Sequence, residues 1–403
     1  MRVYLAVNGL GLGHIIRCHA IAKELSAAGA DVLFATYLDG FEYAQKEKLR
    51  VVQSIPISYQ VRSDGSVDLK ATSAKSGFSL GANRFTRQIV REIQYIKRYD
   101  PDVVLVDSRL SSLLAGRLLG KPVVAILNQY RVLLLHNNRY PRHGILDRLF
   151  LLIARLGWTF FGVLISELWC LSETIIIPDF PPPLTISRHN LAIPTGRRHK
   201  VKFVGPIVDP KFRNKVDRVS LCRKYGLDPN KMLVYAAISG PKHEREPLVK
   251  KLVPLLTNFP REYNIVISCG NPTGGNGPKH RGSALVFQWT NEQDDLLGAC
   301  DIVISRAGHS TILKAMTLGK PLLIIPTPFQ TEQLANATSA RSIGIAVILD
   351  QESLSMASLK GAITLLLRNR AYFLKAARVA QEAKKFEATK ECRRIIEDLA
   401  ADP

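Results

Sequence analysis

The chain has 403 residues, more than one ordinary domain needs, and its 46% hydrophobic and 22% charged residues are typical of a globular protein with a full core. Its six cysteines are scattered without a CxxC pair or a Cys/His cluster, which argues against a zinc site or a disulfide framework and for a reducing compartment. A net charge of +21 predicts an anionic partner, although scattered Lys and Arg residues can equally form a solvated surface.

Nucleic acid is one possible anionic partner, and the net charge is the only feature of the sequence that favours it. The sequence contains no RNP-type aromatic motif, zinc finger or long basic run, so we expect no nucleic-acid partner. Phosphorylated substrates and anionic lipid remain. The N-terminal residues run directly into a strand pattern, and we therefore expect no signal peptide.

Apolar runs of strand length alternate with amphipathic segments of helix length through the first half of the chain. The segments Ile15–Ala28 and Phe85–Tyr99 predict helices, and Gly29 and Gly120 stand where helix C-caps belong. This alternation predicts right-handed crossovers and a parallel sheet. The predicted strands are Val3–Val7, Val32–Thr36, Val51–Ile55, Val103–Val106, Val123–Leu127 and Thr174–Pro178.

The second half of the chain starts the same alternation again. Helices are predicted at Arg245–Leu256, Thr311–Thr317 and Glu332–Ser342. The predicted strands are Met232–Ile238, Tyr263–Ser268, Leu285–Phe287, Ile302–Ser305, Pro321–Ile325 and Ala346–Leu349.

A proline-rich section from Ile177 to Pro210 separates the halves, and it predicts an irregular connector. The fold class is therefore α/β, with two doubly wound, Rossmann-like parallel-sheet domains that face a cleft. We predict one domain at residues 1–204 and a second at 205–385. A polar helix, roughly Ala371 to Leu399, is expected to carry residues 386–403 back onto the first domain.

Ligands of such folds bind at the carboxyl ends of the strands, which directs attention to the loops that follow them. The first loop, NGLGLGHIIRCHA at residues 8–20, has Gly9, Gly11 and Gly13 for a tight turn and a helix N-terminus behind them. Its register is not that of a dinucleotide fingerprint, and NAD is disfavoured. His14 at the helix start is either a neutral general base or a capping and packing residue.

Two loops of the second domain also follow a predicted strand and contain a glycine. ISGP, residues 238–241, follows the first strand of that domain. SRAGHST, residues 305–311, lets the backbone approach a ligand at Gly308, and the amides of His309, Ser310 and Thr311 then open a helix that can hold a diphosphate. The hydroxyl side chains there can instead cap the helix, and ISGP can be an ordinary turn.

The segment FQWTNEQDDLLGACDIVISRAGHSTILKAMTLGKPLLIIPTPFQTEQLANA, residues 287–337, resembles the nucleotide-sugar-binding region of GT-B glycosyltransferases. The likeness is greatest to the MurG-like N-acetylglucosaminyltransferases and related glycolipid synthases, and it extends to the signature region of UDP-glycosyltransferases. It covers both domains in outline and is specific over this segment and residues 8–23. It implies the GT-B architecture and a UDP-sugar co-substrate.

The resemblance also assigns roles to donor-binding residues. It places the uracil against Trp289, unless that residue is a core tryptophan, and puts a phosphate loop at Ser239 and Gly240. It assigns the donor-sugar hydroxyls to Glu332 and Gln333, although Glu332 could merely favour its helix N-terminus. One position departs from the family: Lys314 stands where a glutamate usually accepts hydrogen bonds from the ribose.

The mechanism that the resemblance implies is inverting transfer. His14 deprotonates the acceptor hydroxyl, and Asp107, at the end of VVLVD, orients that histidine; the alternative for Asp107 is a helix N-cap. Arg306 and the amides of the Gly308 helix would stabilise the departing diphosphate. No Asp-x-Asp motif stands at a strand end, so no metal and no cofactor besides the UDP-sugar are expected.

Residues 149–171, LFLLIARLGWTFFGVLISELWCL, form the most apolar stretch and are long enough to span a bilayer. Internal charges and two glycines favour a buried core helix or a membrane-docking surface instead. Basic residues precede it, namely Arg131, Arg139, Arg142, His143 and Arg148. A lipid or lipid-linked acceptor, an anionic membrane surface and a peripheral location on the cytoplasmic face are therefore expected.

Two other functions fit part of the same pattern. A non-hydrolysing UDP-GlcNAc 2-epimerase would bind UDP-sugar in a similar cleft, but it should carry more acidic and histidine residues at strand ends of the first domain. A scaffold or basic RNA-binding protein would need no catalytic pair, and the presence of both His14 and Asp107 argues against it.

Overall fold

Two seven-stranded sheets form the frame of the protein in the computed structural model, which describes residues 1–56, 78–130, 162–213, 216–271, 274–275 and 277–401. The first sheet contains β1 (Arg2–Val7), β2 (Asp31–Thr36), β3 (Val51–Gln53), β4 (Val103–Asp107), β5 (Val123–Ile126), β6 (Thr174–Ile177) and β7 (Val201–Phe203). The second contains β8 (Leu233–Ala237), β9 (Asn264–Ser268), β10 (Lys279–Arg281), β11 (Ala284–Phe287), β12 (Ile302–Ser305), β13 (Leu322–Ile324) and β14 (Ala346–Ile348).

Helices cover these sheets. They are α1 (Gly13–Ala27), α2 (Leu38–Lys46), α3 (Phe78–Tyr99), α4 (Leu110–Leu118), α5 (Arg188–Leu191), α6 (Arg218–Lys224), α7 (Lys242–Thr257), α8 (Gln293–Ala299), α9 (His309–Thr317), α10 (Thr331–Ile343), α11 (Met356–Arg368), α12 (Arg370–Ala383) and α13 (Ala388–Ala401). Residues 162–169 are also helical.

Strand order places the loops that matter side by side. The first sheet runs β3-β2-β1-β4-β5-β6-β7 and the second β10-β11-β9-β8-β12-β13-β14. All pairs are parallel except β10 with β11. The order reverses between β1 and β4 and between β8 and β12, and a crevice opens at the carboxyl ends of parallel strands at such switch points.

Three features differ from the sequence predictions. The connector contains a short helix, α5, and a strand, β7, which contains no proline and pairs in parallel with β6. The antiparallel β10 was not predicted, because KHR has no apolar alternation. The long C-terminal helix is interrupted at residues 384–387, where Phe386 turns inward.

The last helix returns to the first sheet. The core beneath α1 includes Ala388, Cys392, Ile395 and Ile396 of α13. Phe386 packs so closely under Gly205 (φ +82°) that a β-carbon at this glycine would lie 2.5 Å from the ring. The chain thus crosses from one sheet to the other near both ends of the second domain, although the boundaries at 204/205 and 385/386 stay predictions.

The apolar stretch predicted to be buried or to dock on a membrane is described only from residue 162 onward. No helix among the described residues has the length and apolar character that crossing a bilayer requires. Of the apolar stretch 149–171, residues 149–161 lie outside the described residues, as do the basic residues predicted to accompany it, Arg131, Arg139, Arg142, His143 and Arg148.

A buried ion pair holds α3 and α4 against the first sheet. Glu92 is fully buried and accepts hydrogen bonds from Arg109, Tyr4, Ser54 and Ser112. Burial would raise the pKa of Glu92, but the Arg109 charge and these hydrogen bonds outweigh it and lower the pKa. The carboxylate therefore stays charged, and loss of its cationic partner would leave that charge unpaired.

We expect Arg109→Met to lower the free energy of unfolding of the first domain by about 3–5 kcal/mol, because it strands a buried carboxylate. Arg117→Met is the matched control, since Arg117 pairs with Glu173 at the surface and such pairs contribute about 0–1 kcal/mol. Chemical denaturation of both variants measures the difference. Equal losses would contradict the structural role assigned to Arg109.

Candidate functional site

His14 and Asp107 come together because β1 and β4 are neighbours. Val7, the last residue of β1, lies opposite Asp107, the last residue of β4, and His14 lies in the first turn of α1. His14 Nδ1 is 2.8 Å from Asp107 Oδ1. Asp107 is fully buried and is not an N-cap, since Arg109 has that position for α4. A proton on Nδ1 donated to the carboxylate leaves Nε2 as the basic nitrogen.

Arg17 is a second partner of Asp107 that the sequence analysis missed. Its Nε and Nη2 donate to Asp107 Oδ2 and Oδ1 at 2.6 and 2.5 Å, and the guanidinium is buried. Burial would raise the pKa of Asp107, but the charges of Arg17 and His14 outweigh it and hold the pKa well below the ordinary range. The sequence feature that could have identified Arg17 is its i, i+3 spacing from His14, which puts both side chains on one face of α1.

The glycine loop of the first domain meets the second domain at the start of α9. A β-carbon at Gly13 would lie 2.9 Å from Ser310 Oγ, and one at Gly11 (φ +70°) would lie 3.9 Å from the Pro241 ring. Ser239 and Gly240 (φ +113°) directly precede Pro241. The loops after β1 and β8 and the N-termini of α1 and α9 therefore face one another across the same gap.

Two helix N-termini thus converge on Gly13 and Ser310. Both helices are fully described, and neither has an acidic residue in its first turn or a hydrogen bond from its N-cap side chain. The Thr311 amide donates to the Gly308 carbonyl, whereas the amides of His309 and Ser310 start the helix, where its own pattern supplies no acceptor. Two positive helix ends facing each other form a site for an anion.

Two predicted donor-binding side chains do not lie in this gap. Arg306 is 3% exposed, and its guanidinium donates to the backbone carbonyls of Ile325 and Glu244. Burial lowers its pKa to about 10, against the opposing effect of Glu244. The predicted contact of Arg306 with the diphosphate is therefore corrected: this side chain braces the loops behind the site.

Gln333 needs a similar correction. Its Nε2 donates to Glu244 Oε2 at 3.1 Å, and its Oε1 accepts from the Thr327 amide at 2.9 Å. Because both ends of the amide are engaged in the interior, Gln333 supports the loop after β13 instead of presenting groups to a sugar. The sequence could not distinguish it from its neighbour Glu332.

Glu332 and Trp289 each touch the opposite domain. Asn128 Nδ2 donates to Glu332 Oε1 at 2.7 Å. The Lys46 ammonium lies 5.2 Å from the centre of the half-buried Trp289 ring, a cation–π contact that covers one ring face. Both residues therefore border the gap between the domains.

The side chain of His309 links the second domain to the connector. It is 5% exposed, and its Nε2 is 3.0 Å from Asp179 Oδ2. Asp179 also accepts from the amides of Phe180, Ile186 and Ser187. The His309 side chain is thus structural, and only its backbone amide is placed to contact a ligand.

A cavity continues from the helix ends between α1 and α9. Lys314 donates to Asp294 at 2.6 Å at its far end. The residues that line it include Gly13, Arg17, Tyr43, Asp294, Ser310 and Lys314. The lysine that departs from the family pattern therefore holds a carboxylate at the cavity wall. Asp294 and Asp295 lie within α8, and the described residues contain no cluster of three or more His, Cys, Asp or Glu that could hold a metal.

Comparison with known proteins consistently finds glycosyltransferases. Residues 245–395 match the glycosyltransferase family 28 C-terminal domain. An uncharacterized glycosyltransferase of Methanosarcina acetivorans is 28% identical over 98% of both chains. The UDP-N-acetylglucosamine–N-acetylmuramyl-(pentapeptide) pyrophosphoryl-undecaprenol N-acetylglucosamine transferase of Clostridium botulinum is 24% identical over 93% of both.

Solved structures agree on the architecture. The glycosyltransferase of kitacinnamycin superposes with a TM-score of 0.67 at 16% identity, covering 99% of this chain and 98% of that one. MurG of Acinetobacter baumannii superposes with a TM-score of 0.61 at 18% identity, covering 98% and 99%. These matches confirm the predicted fold of two parallel-sheet domains.

The depressed pKa of Asp107 predicts an acid-dependent loss of stability. A carboxyl whose pKa is lowered in the folded protein stabilises it above the unfolded value, near 3.8, and loses this contribution as the pH falls toward the folded value. We expect the stability difference between the wild type and Asp107→Asn to be largest above pH 5 and to shrink below pH 4. Denaturation at each pH measures it.

Asp295→Asn, which removes an exposed carboxyl from α8, is the control for the loss of one acidic charge. A difference for Asp107→Asn that stays constant from pH 6 to pH 3 would show that its carboxylate has no special stabilisation.

Proposed function

We propose that this chain, a MurG-like glycosyltransferase with the GT-B architecture, transfers a sugar from a UDP-sugar to a hydroxyl or phosphate of a membrane lipid or lipid-linked acceptor, with inversion and without a metal. The observation that carries the proposal is the convergence of two uncapped helix N-termini, one from each domain, beside the His14–Asp107 pair. N-acetylglucosamine and glucose are the donor sugars that we propose first.

The donor diphosphate would lie in the cavity beside the N-termini of α1 and α9, which Gly13 and Ser310 help to line. The amides at Gly13, His309 and Ser310 supply donors to its oxygens, and both helix dipoles favour its charge. These groups are fixed before the reaction, so they stabilise the extra charge on the departing UDP without reorganisation. Because Arg306 faces away, this stabilisation rests on backbone amides.

The nucleoside would extend from the diphosphate along the gap. The uracil would lie against Trp289, whose other neighbour there is Lys46. Lys314 cannot accept hydrogen bonds from ribose hydroxyls, but it holds the Asp294 carboxylate, which can. We therefore propose that UDP remains the nucleotide despite the departure at position 314.

The chemical step uses His14 as general base. Nε2 takes the proton of the acceptor hydroxyl, the acceptor oxygen bonds to the anomeric carbon, and the bond from that carbon to the UDP oxygen breaks with its electron pair leaving on UDP. Asp107 stabilises the imidazolium that forms and holds the ring orientation. Attack opposite to the leaving group inverts the anomeric configuration.

The proposal of a lipid acceptor is supported by an exposed apolar surface that lies beside basic residues. Val163, Leu164 and Leu171 are 45%, 47% and 42% exposed. The exposed turn that begins at Thr195 supplies Arg197 and Arg198, and Arg197 pairs with Glu167 of the adjoining helix at 3.2 Å. Apolar side chains flanked by cations suit an anionic leaflet, and we propose that the protein acts as a peripheral protein on its cytoplasmic face.

We expect His14→Ala to lower the rate of transfer about 10²- to 10⁴-fold, because the acceptor loses its base. Thermal shift should detect the same stabilisation by UDP-sugar in this variant as in the wild type, because His14 does not hold the donor. UDP release with and without acceptor lipid measures turnover, and NMR of the product gives its anomer. His280→Ala, at an exposed position on β10, is the control. Full turnover in His14→Ala would overturn the mechanism.

We expect Leu164→Asp to weaken binding to vesicles of phosphatidylglycerol about fivefold or more, because it replaces exposed apolar area by a charge that anionic lipid repels. Leu374→Asp is the control, since Leu374 is 58% exposed on α12 of the second domain. Co-sedimentation with anionic and with phosphatidylcholine vesicles measures binding. Equal effects of the two substitutions would contradict docking through this surface.

A further inference from the structure

A line of hydrogen bonds crosses the gap between the domains at Asn128. This residue lies just beyond β5, is 6% exposed, and donates from Nδ2 to Glu332 Oε1 at 2.7 Å. Glu332 lies in the first turn of α10, in the second domain. It is the residue to which the resemblance to GT-B glycosyltransferases assigns hydroxyls of the donor sugar.

The other end of the same amide faces the catalytic pair. Arg17 Nη2 lies 3.5 Å from Asn128 Oδ1, at the long limit of a hydrogen bond, and the same nitrogen donates to Asp107 Oδ1 at 2.5 Å. Asp107 Oδ1 in turn is 2.8 Å from His14 Nδ1. Arg17, Asp107 and Asn128 are each less than 10% exposed, so water screens these interactions little.

The chemistry of the two neighbours fixes the orientation of the Asn128 amide. A guanidinium only donates and a carboxylate only accepts, so the amide oxygen must face Arg17 and the amide nitrogen must face Glu332. An aspartate at 128 would repel Glu332, and an apolar residue would remove the donor to Glu332 and the long contact with Arg17, which would keep only Asp107. The position therefore requires one donor and one acceptor a fixed distance apart.

We propose that Asn128 is a positioning residue that couples the donor-sugar carboxylate of Glu332 to the His14–Asp107 base through Arg17, a role that rests on the proposed function. Asn128 holds Glu332 Oε1 and leaves Oε2 for a sugar hydroxyl. A donor sugar bound at Glu332 and an acceptor at His14 would thereby be held at one fixed position relative to each other, because the same chain of contacts joins both residues.

The first test needs no activity. Chemical denaturation of the ligand-free full chain compares Asn128→Ala, Glu332→Ala and the double variant. We expect the free energy of unfolding of the double variant to equal that of the less stable single variant, because either substitution alone already removes the contact. Stability losses that add would show that Asn128 and Glu332 do not interact, and would overturn the proposal.

The second test uses turnover with UDP-GlcNAc or UDP-glucose, whichever the wild type accepts, together with calorimetry of UDP binding. We expect Asn128→Ala to lower kcat about tenfold or more while the affinity for UDP alone stays within about twofold, because UDP does not reach Glu332. Asn128→Asp should be slower still, and adding Glu332→Gln to Asn128→Ala should cost little more. Asn258→Ala, an exposed amide after α7, is the control.

The outcomes separate the two proposals. If the wild type transfers sugar but the effects of Asn128→Ala and Glu332→Gln multiply, or if UDP affinity falls in parallel with kcat, the coupling is wrong and the proposed function stands. If the wild type neither binds UDP nor turns over a UDP-sugar, the proposed function fails and the coupling fails with it.

Discussion

The buried carboxylate of Asp107 is the constraint on which the rest of the site depends. It has no access to water, and its charge persists because Arg17 and His14 both point at it. A buried charge with two partners holds both of them in place, since moving either one would leave the carboxylate incompletely paired. The first turn of α1 is therefore locked against the end of β4, and this turn carries the glycine loop that faces the second domain.

The fold brings two similar domains face to face. Each sheet reverses its strand order next to its first strand, and each places a loop and a helix N-terminus at that point. Gly13 and Ser310 show how closely the halves approach, because the gap there has no room for a β-carbon on the glycine side. Two positive helix ends held that close repel each other, and an anion in the adjoining cavity would relieve this repulsion.

Contacts across the gap do more than hold the halves together. Asn128 meets Glu332, Lys46 covers Trp289, and His309 reaches Asp179 in the connector. Each involves a residue, or the neighbour of a residue, that the donor would touch. If the proposed donor binds here, its binding and the relative placement of the domains would be linked through the same side chains.

The sequence by itself determined the parallel sheets and the glycine-rich loops after their strands, because apolar periodicity and turn residues are local properties. The pairing of His14 with Asp107 was implied by the resemblance, and the adjacency of β1 and β4 brings the two side chains together. Only the tertiary structure decided which polar side chains reach the cleft. Arg306 directly follows β12 and Gln333 lies in the first turn of α10, yet their side chains turn inward to satisfy buried carbonyl and carboxylate groups. Arg17 and Asn128 lie 111 positions apart and meet only through packing of α1 beside β4 and β5. The direction of a side chain depends on partners distant in sequence, and local patterns carry no information about them.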